Sequence, residues 1–193
     1  MLRKNFWKIG FLTVTLLFCA GIVTGACNLV QTGGETESAL HDYLNGFFQG
    51  FAADQSRFSV FVSSLSQNLE LFGLLFLCSF FRLGIPLIGA GVFAKGFICG
   101  FTTAAFARYY GFRGLLIPAA SIFSNLLFLP SMLAFSVCGI WLAAKKQKRD
   151  KNVLRSFFLL SAICLTIFCV KSFFDGYVTT TFIKLLIPFV TVV

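Results

Sequence analysis

Residues 84–106 read GIPLIGAGVFAKGFICGFTTAAF, and the reading of this stretch decides the fold. It is long and apolar enough to cross a bilayer, which takes about 20 residues of helix. Glycines stand at 84, 89, 91, 96 and 100. Each costs roughly 1 kcal/mol against alanine inside a helix. In lipid the return is close approach of a second helix, because small residues let backbones meet. Gly96 and Gly100 share one face, which leaves open packing within the chain or between two copies in a homo-oligomer. Lys95 stands beside them near mid-span. A lysine at the bilayer centre costs roughly 2.5–3.5 kcal/mol on the insertion scale. It needs a partner, a wet cavity, or a route for its head to the interface. Glu70, Ser124, Asn125 and the carbonyls freed by Pro130 are the candidate partners.

The composition agrees with a membrane reading. The chain is 58% apolar and 12% charged, with 27 phenylalanines, far from soluble usage. An all-α integral membrane protein of one polytopic domain follows, with the lipid bilayer as its solvent. The net charge of +9 does not point to nucleic acid, because the basic residues lie in short clusters flanking apolar runs. Of the seven cysteines, Cys19, Cys78, Cys99, Cys138, Cys164 and Cys169 lie inside apolar runs, and none forms CxxC. They read as small buried hydrophobes, with neither a disulfide framework nor a metal site.

Working outward, the preceding helix runs from Arg57 to Phe81, amphipathic first and membrane-embedded later. Gly84 and Pro86 turn the chain near residue 83. Before it, Leu40, Tyr43, Leu44, Phe47, Phe48 and Phe51 recur at helical spacing opposite His41, Asp42, Asn45 and Gln49. This predicts an amphipathic outer helix in the polar segment 31–56. The basic start Arg3, Lys4 and Lys8 precedes an apolar run with a faint signal-peptide character. Because that run extends through Val30, an uncleaved first helix is expected.

On the other side, residues 108–114 read as an interfacial loop with a tyrosine belt. The run 115–144 is longer than one span and is interrupted by Pro118 and Pro130. It reads either as one kinked helix or as a short re-entrant piece followed by a span. Residues 145–151 form the one strong charge run. The last span, 153–174, ends at Asp175-Gly176, and an interfacial tail follows.

Five spans result, at about 7–29, 60–82, 85–107, 115–144 and 153–174. The excess of Lys and Arg at the amino terminus, at Arg82 and in 145–155 puts the amino terminus in the cytoplasm. The segment 31–56 and the tail 175–193 then share the outer side, with Lys171 and Lys184. The acidic residues offer no mid-membrane dyad, there is no HExxH, and no phosphate-binding loop is present. No catalytic residue, cofactor or metal is expected, and the chain reads as not an enzyme.

One set of residues resembles a known family. Gly84-x-Pro86, Phe93-x-Lys95-Gly96, Gly100-Phe101-Thr102, Gly111, Gly114, Asn125 and Pro130 are similar to stage II sporulation protein M. So is Lys171-Ser172-Phe173-Phe174-Asp175-Gly176-Tyr177 after the final helix. The resemblance covers nearly the whole chain. One departure is Phe123-Ser124 ahead of Asn125, where the family often has a proline. The resemblance implies a non-enzymatic scaffold of the engulfment machinery in endospore formation, on the mother-cell side of the sporulation septum. There it would hold two membrane-anchored peptidoglycan hydrolases, stage II sporulation proteins D and P. Phe47, Phe48, Phe51, Phe173, Phe174, Asp175 and Tyr177 are the expected outer interaction residues. Lys95, Gly96, Gly100, Asn125 and Pro130 are the expected intramembrane polar and packing residues. The alternative is a small transporter or channel with a polar site around Lys95.

Overall fold

The computed structural model describes residues 2–31, 56–144 and 151–191, with positions 40, 42, 44 and 46 between the first two. Every element among the described residues is helical. Helix α1 spans Leu2–Gln31, α2 Arg57–Cys78, α3 Gly84–Gly114, α4 Leu116–Ala120, α5 Ile122–Ala144 and α6 Lys151–Phe174. A π-helical turn, Asp175–Thr179, joins α6 to α7, Thr180–Thr191. Five stretches are long and apolar enough to cross a membrane, one each in α1, α2, α3 and α5 and one running from α6 into α7. The chain is therefore an all-α multi-pass membrane protein.

Several hydroxyl groups in the spans are satisfied locally, as an apolar solvent demands, although Thr15 Oγ1 is buried in α1 without a partner. Thr13 and Thr24 donate back to Ile9 O at 2.9 Å and Ala20 O at 2.7 Å. Ser136 does the same to Met132 O at 2.8 Å.

The hairpin from α2 to α3 is tight. Gly84 N–H donates to Phe81 O at 3.0 Å, and a Cβ on Gly84 would press on the Cys78 main chain. Pro86 falls in the first turn of α3, where its missing N–H would have had no helical acceptor.

Helix α3 is longer than the sequence reading allows. Residues 108–110 stay helical, and the expected loop narrows to a break at Gly111, with φ 59° and ψ −150°. That region of backbone space is essentially restricted to glycine.

The long run after it divides into two pieces, α4 and α5. Ser121 stands at the break and donates to Pro118 O at 2.8 Å, and Ser124 donates to Ser121 O at 3.0 Å. Each hydroxyl adds to a main-chain bond on the same carbonyl, from Ser121 N–H on Pro118 O at 3.2 Å and from Asn125 N–H on Ser121 O at 3.1 Å. Pro130 lies inside α5.

At the end of α6 the expected stop at Asp175-Gly176 does not occur. The backbone widens into the π turn and stays helical. Thr180 Oγ1 donates to Asp175 O at 2.9 Å across that turn. Helix α7 then folds onto the bundle, with Ile183 buried against Leu29, Phe106 and Ile117 rather than resting at an interface.

The core is built around α5. Of its apolar window 53% is buried, against 11% for α2, so α5 is central and α2 peripheral. Phenylalanines fill the space between α2, α5 and α6. Phe72 stacks on Phe135 with ring centroids 5.2 Å apart and Phe76 on Phe157 at 5.8 Å, while Phe128 meets Phe168 at a tilt with centroids 4.6 Å apart. Large flat side chains make many dispersion contacts, which matter where lipid removes the hydrophobic drive between helices. Against α6, rising numbers in α2 meet falling ones, so the two are antiparallel. Helices α1 and α3 run parallel, and their contact is the most extensive between any two described elements.

Candidate functional site

Two constellations emerge, a glycine seam and a polar cluster.

The seam joins α1 to α3. A Cβ on Gly96 would meet the main chain of Phe18, and one on Gly100 the main chain of Ile22. The contact is reciprocal, because Gly21 faces Phe93 and Phe97, while Gly25 faces Phe97 and Phe101. Gly96-xxx-Gly100 therefore packs within the chain, against Gly21-xxx-Gly25. The sequence reading missed the α1 half, although the same four-residue spacing was there to find. Farther along, Arg108 Nη1 donates to Leu29 O at 2.9 Å and fastens the same two helices.

The polar cluster ties α2 to α6 and the π turn. Asn68, 2% exposed, donates to Ser172 Oγ at 2.8 Å and to Ser64 Oγ at 3.3 Å. Ser64 in turn donates to Asp175 Oδ2 at 2.7 Å, and Ser172 to Phe168 O at 3.0 Å. Lys171 pairs with the same Asp175 oxygen one turn along the helix. Every polar group in this chain of contacts has a partner, which is the condition for a polar network to be stable in a low-dielectric interior. Gly176 lets the π turn lie on α2, since a Cβ there would stand 2.9 Å from Phe61 Cα. Single π turns often mark functional positions.

This arrangement relocates two residues. Lys171, expected on the outer side, is only 9% exposed within the bundle. Asp175, expected as an outer contact, has both Lys171 and Ser64 on its carboxylate. The neighbours Phe173, Phe174 and Tyr177 are 53%, 41% and 38% exposed, with the rings of Phe173 and Tyr177 stacked at 4.6 Å. They form an aromatic face beside the clamp. Phe47, Phe48 and Phe51 lie outside the described residues. Leu44 of the same segment is buried with Leu29, Phe106 and Ile183. Asn68, Ser64 and Ser172 were not singled out from sequence. A signal existed in the four-residue spacings of Ser64 and Asn68 and of Lys171 and Asp175, which put each pair on one face.

Lys95 does not pair with Glu70, which is exposed and accepts from Ser66 at 3.1 Å. Ser124 is also committed elsewhere. Lys95 Nζ instead lies 5.6 Å from the Phe128 ring centroid, and Lys171 Nζ lies 5.0 Å from the same centroid. Lys95, Lys171 and Asn125 line one cavity of about 290 Å³. Pro130 lines an adjoining groove.

Among the described residues no three His, Cys, Asp or Glu side chains are grouped to hold a metal. The polar cluster joins helices, and its one carboxylate is held by a lysine and a serine.

A family model for stage II sporulation protein M matches residues 14–180. That range includes the glycine seam and the whole polar cluster. No curated protein matches the chain, and no solved structure does. The chain belongs to the stage II sporulation protein M family, and it is a sporulation-related multi-pass membrane protein.

Proposed function

We propose that this protein is a non-catalytic scaffold of the engulfment machinery at the mother-cell membrane. It holds the septal peptidoglycan hydrolases, stage II sporulation proteins D and P. The observation that carries the reading is the use made of the polar residues. Ser64, Asn68, Lys171, Ser172 and Asp175 are spent on joining helices. Immediately beside them stand exposed Phe173 and Phe174, at the end of α6, and Tyr177, in the π turn. An exposed aromatic patch beside a hydrogen-bonded polar cluster suits a docking surface.

The orientation follows the positive-inside rule, with the amino terminus in the cytoplasm. The aromatic face then lies toward the outer side, where the wall is. Lys171 no longer counts as an outer charge, because it is buried beside Asp175.

The test is co-purification of the tagged protein with the two hydrolases from sporulating cells. Phe173→Ala with Tyr177→Ala should remove most of the hydrolases while leaving membrane abundance intact. Deleting residues 40–51 should act likewise. Undiminished recovery in both variants would defeat the reading.

A further inference from the structure

The cavity beside Lys95 carries an unbalanced charge. Lys95, Lys171, Thr102, Ser121 and Asn125 supply its polar wall. Lys171 is neutralised by Asp175. Among the described residues Lys95 meets the Phe128 ring and forms no ion pair, and the carboxylate that acts on it, Asp175, is already paired with Lys171. A cation facing the negative face of a ring gains something, yet far less than a full counter-charge supplies in a low-dielectric setting.

The cavity is not closed on itself. An apolar groove of about 520 Å³ shares Cys99, Thr103, Pro118, Ser121, Asn125 and Leu129 with it. The groove continues along Leu115, Leu126 and Pro130, and Leu126 is 65% exposed on the flank of the bundle. A spare cation beside an amide donor, opening into an apolar channel along the lipid-facing side, has the two-part character of an amphiphile. Basic pockets between membrane helices bind anionic headgroups for the same reason.

We infer that this cavity binds an anionic membrane lipid, with the headgroup phosphate against Lys95 and Asn125 and an acyl chain along Leu126. The site is independent of hydrolase docking, because it uses none of Phe173, Phe174 or Tyr177. It gives Lys95 a counter-charge of its own, which Asp175, already paired with Lys171, does not supply.

The full chain would be reconstituted with equal amounts of phosphatidylglycerol and phosphatidylcholine, and retained lipid read by native mass spectrometry. Retention of phosphatidylglycerol over phosphatidylcholine is expected. Lys95→Met should lower that preference about ten-fold, as loss of a charged hydrogen bond would. Lys95→Arg should keep it, and Leu126→Trp should reduce it by filling the groove. Equal retention of the two lipids by the unaltered chain overturns the proposal. So does stabilisation by inorganic phosphate without lipid retention, which would mark a free-anion site. If Lys95→Met does not fold, the other two variants decide. Preference kept in Lys95→Arg and lost in Leu126→Trp supports the site, and any other pattern overturns it.

Discussion

Gly100 lies directly on the main chain of Ile22, so that a methyl group built on it would stand 2.8 Å from Ile22 Cα. Gly25 returns the contact, at 2.9 Å from Phe101 N by the same measure. No side chain intervenes between α1 and α3 along this seam. The gain is dispersion between two backbones at van der Waals distance, the main attraction left to helices already dissolved in lipid.

Gly100→Val should therefore separate the two helices. Overpacking typically costs about 1–3 kcal/mol, and backbone yields less readily than side chains, so the upper part of that range is expected. Thermal melting in detergent would show it. Gly89→Ala is the control, because its Cβ would only touch Leu17 Cδ1 at 3.5 Å. Equal losses in the two variants would refute the seam.

Breaking the ion pair from one side should be worse than removing it. Lys171→Met leaves the Asp175 carboxylate with Ser64 as its remaining partner, and an uncompensated buried charge costs about 3–5 kcal/mol. The double variant Lys171→Met with Asp175→Leu should recover much of that loss. A double-mutant cycle read from unfolding in mixed micelles measures the coupling. Additive losses would mean that the two residues act separately.

Asn68→Ala removes the link from α2 to both Ser64 and Ser172. Interhelical hydrogen bonds in membranes average about 0.6 kcal/mol and reach roughly 1.7. A loss inside that span is expected, with proteolysis of the 57–78 helix increasing more than that of α5. Wild-type protection of α2 in the variant would contradict the network.

Gly111→Ala tests the break near the end of α3. The position holds φ at 59° with open space around it, so any loss comes from backbone strain and not from collision. Such strain costs on the order of 1–3 kcal/mol. A melting temperature equal to that of the unaltered protein would show that the backbone relaxes freely there.

Much of this could be read from residue order. Residues 84–106 announce a span because their apolar length exceeds a bilayer, and Gly96 and Gly100 announce a packing face by their spacing. The turn ahead of Gly84 was visible as glycine and proline punctuation, whereas Pro118 and Pro130 left open whether the run 115–144 was one kinked helix or two pieces. Asp175-Gly176 was misjudged because these residues break helices in isolation. Here the pair to Lys171, the bond from Thr180 and the close fit of Gly176 on Phe61 hold the turn helical. The role of Lys171 was hidden for a related reason. A lysine near a helix end ordinarily reaches water, and only a carboxylate one turn away, roofed by α2, keeps it inside.

Sequence alone determined that this chain lives in a bilayer, that it carries five stretches long and apolar enough to cross it, and to which family it belongs. Those properties depend on composition and on spacing along one strand of residues. Tertiary structure decided that the glycines of α3 meet those of α1 in the same molecule. It also decided that Asp175 serves Lys171 and that Lys95 faces a cavity. Each of these depends on which helices become neighbours, and that is settled by the fit of surfaces brought together from distant parts of the chain.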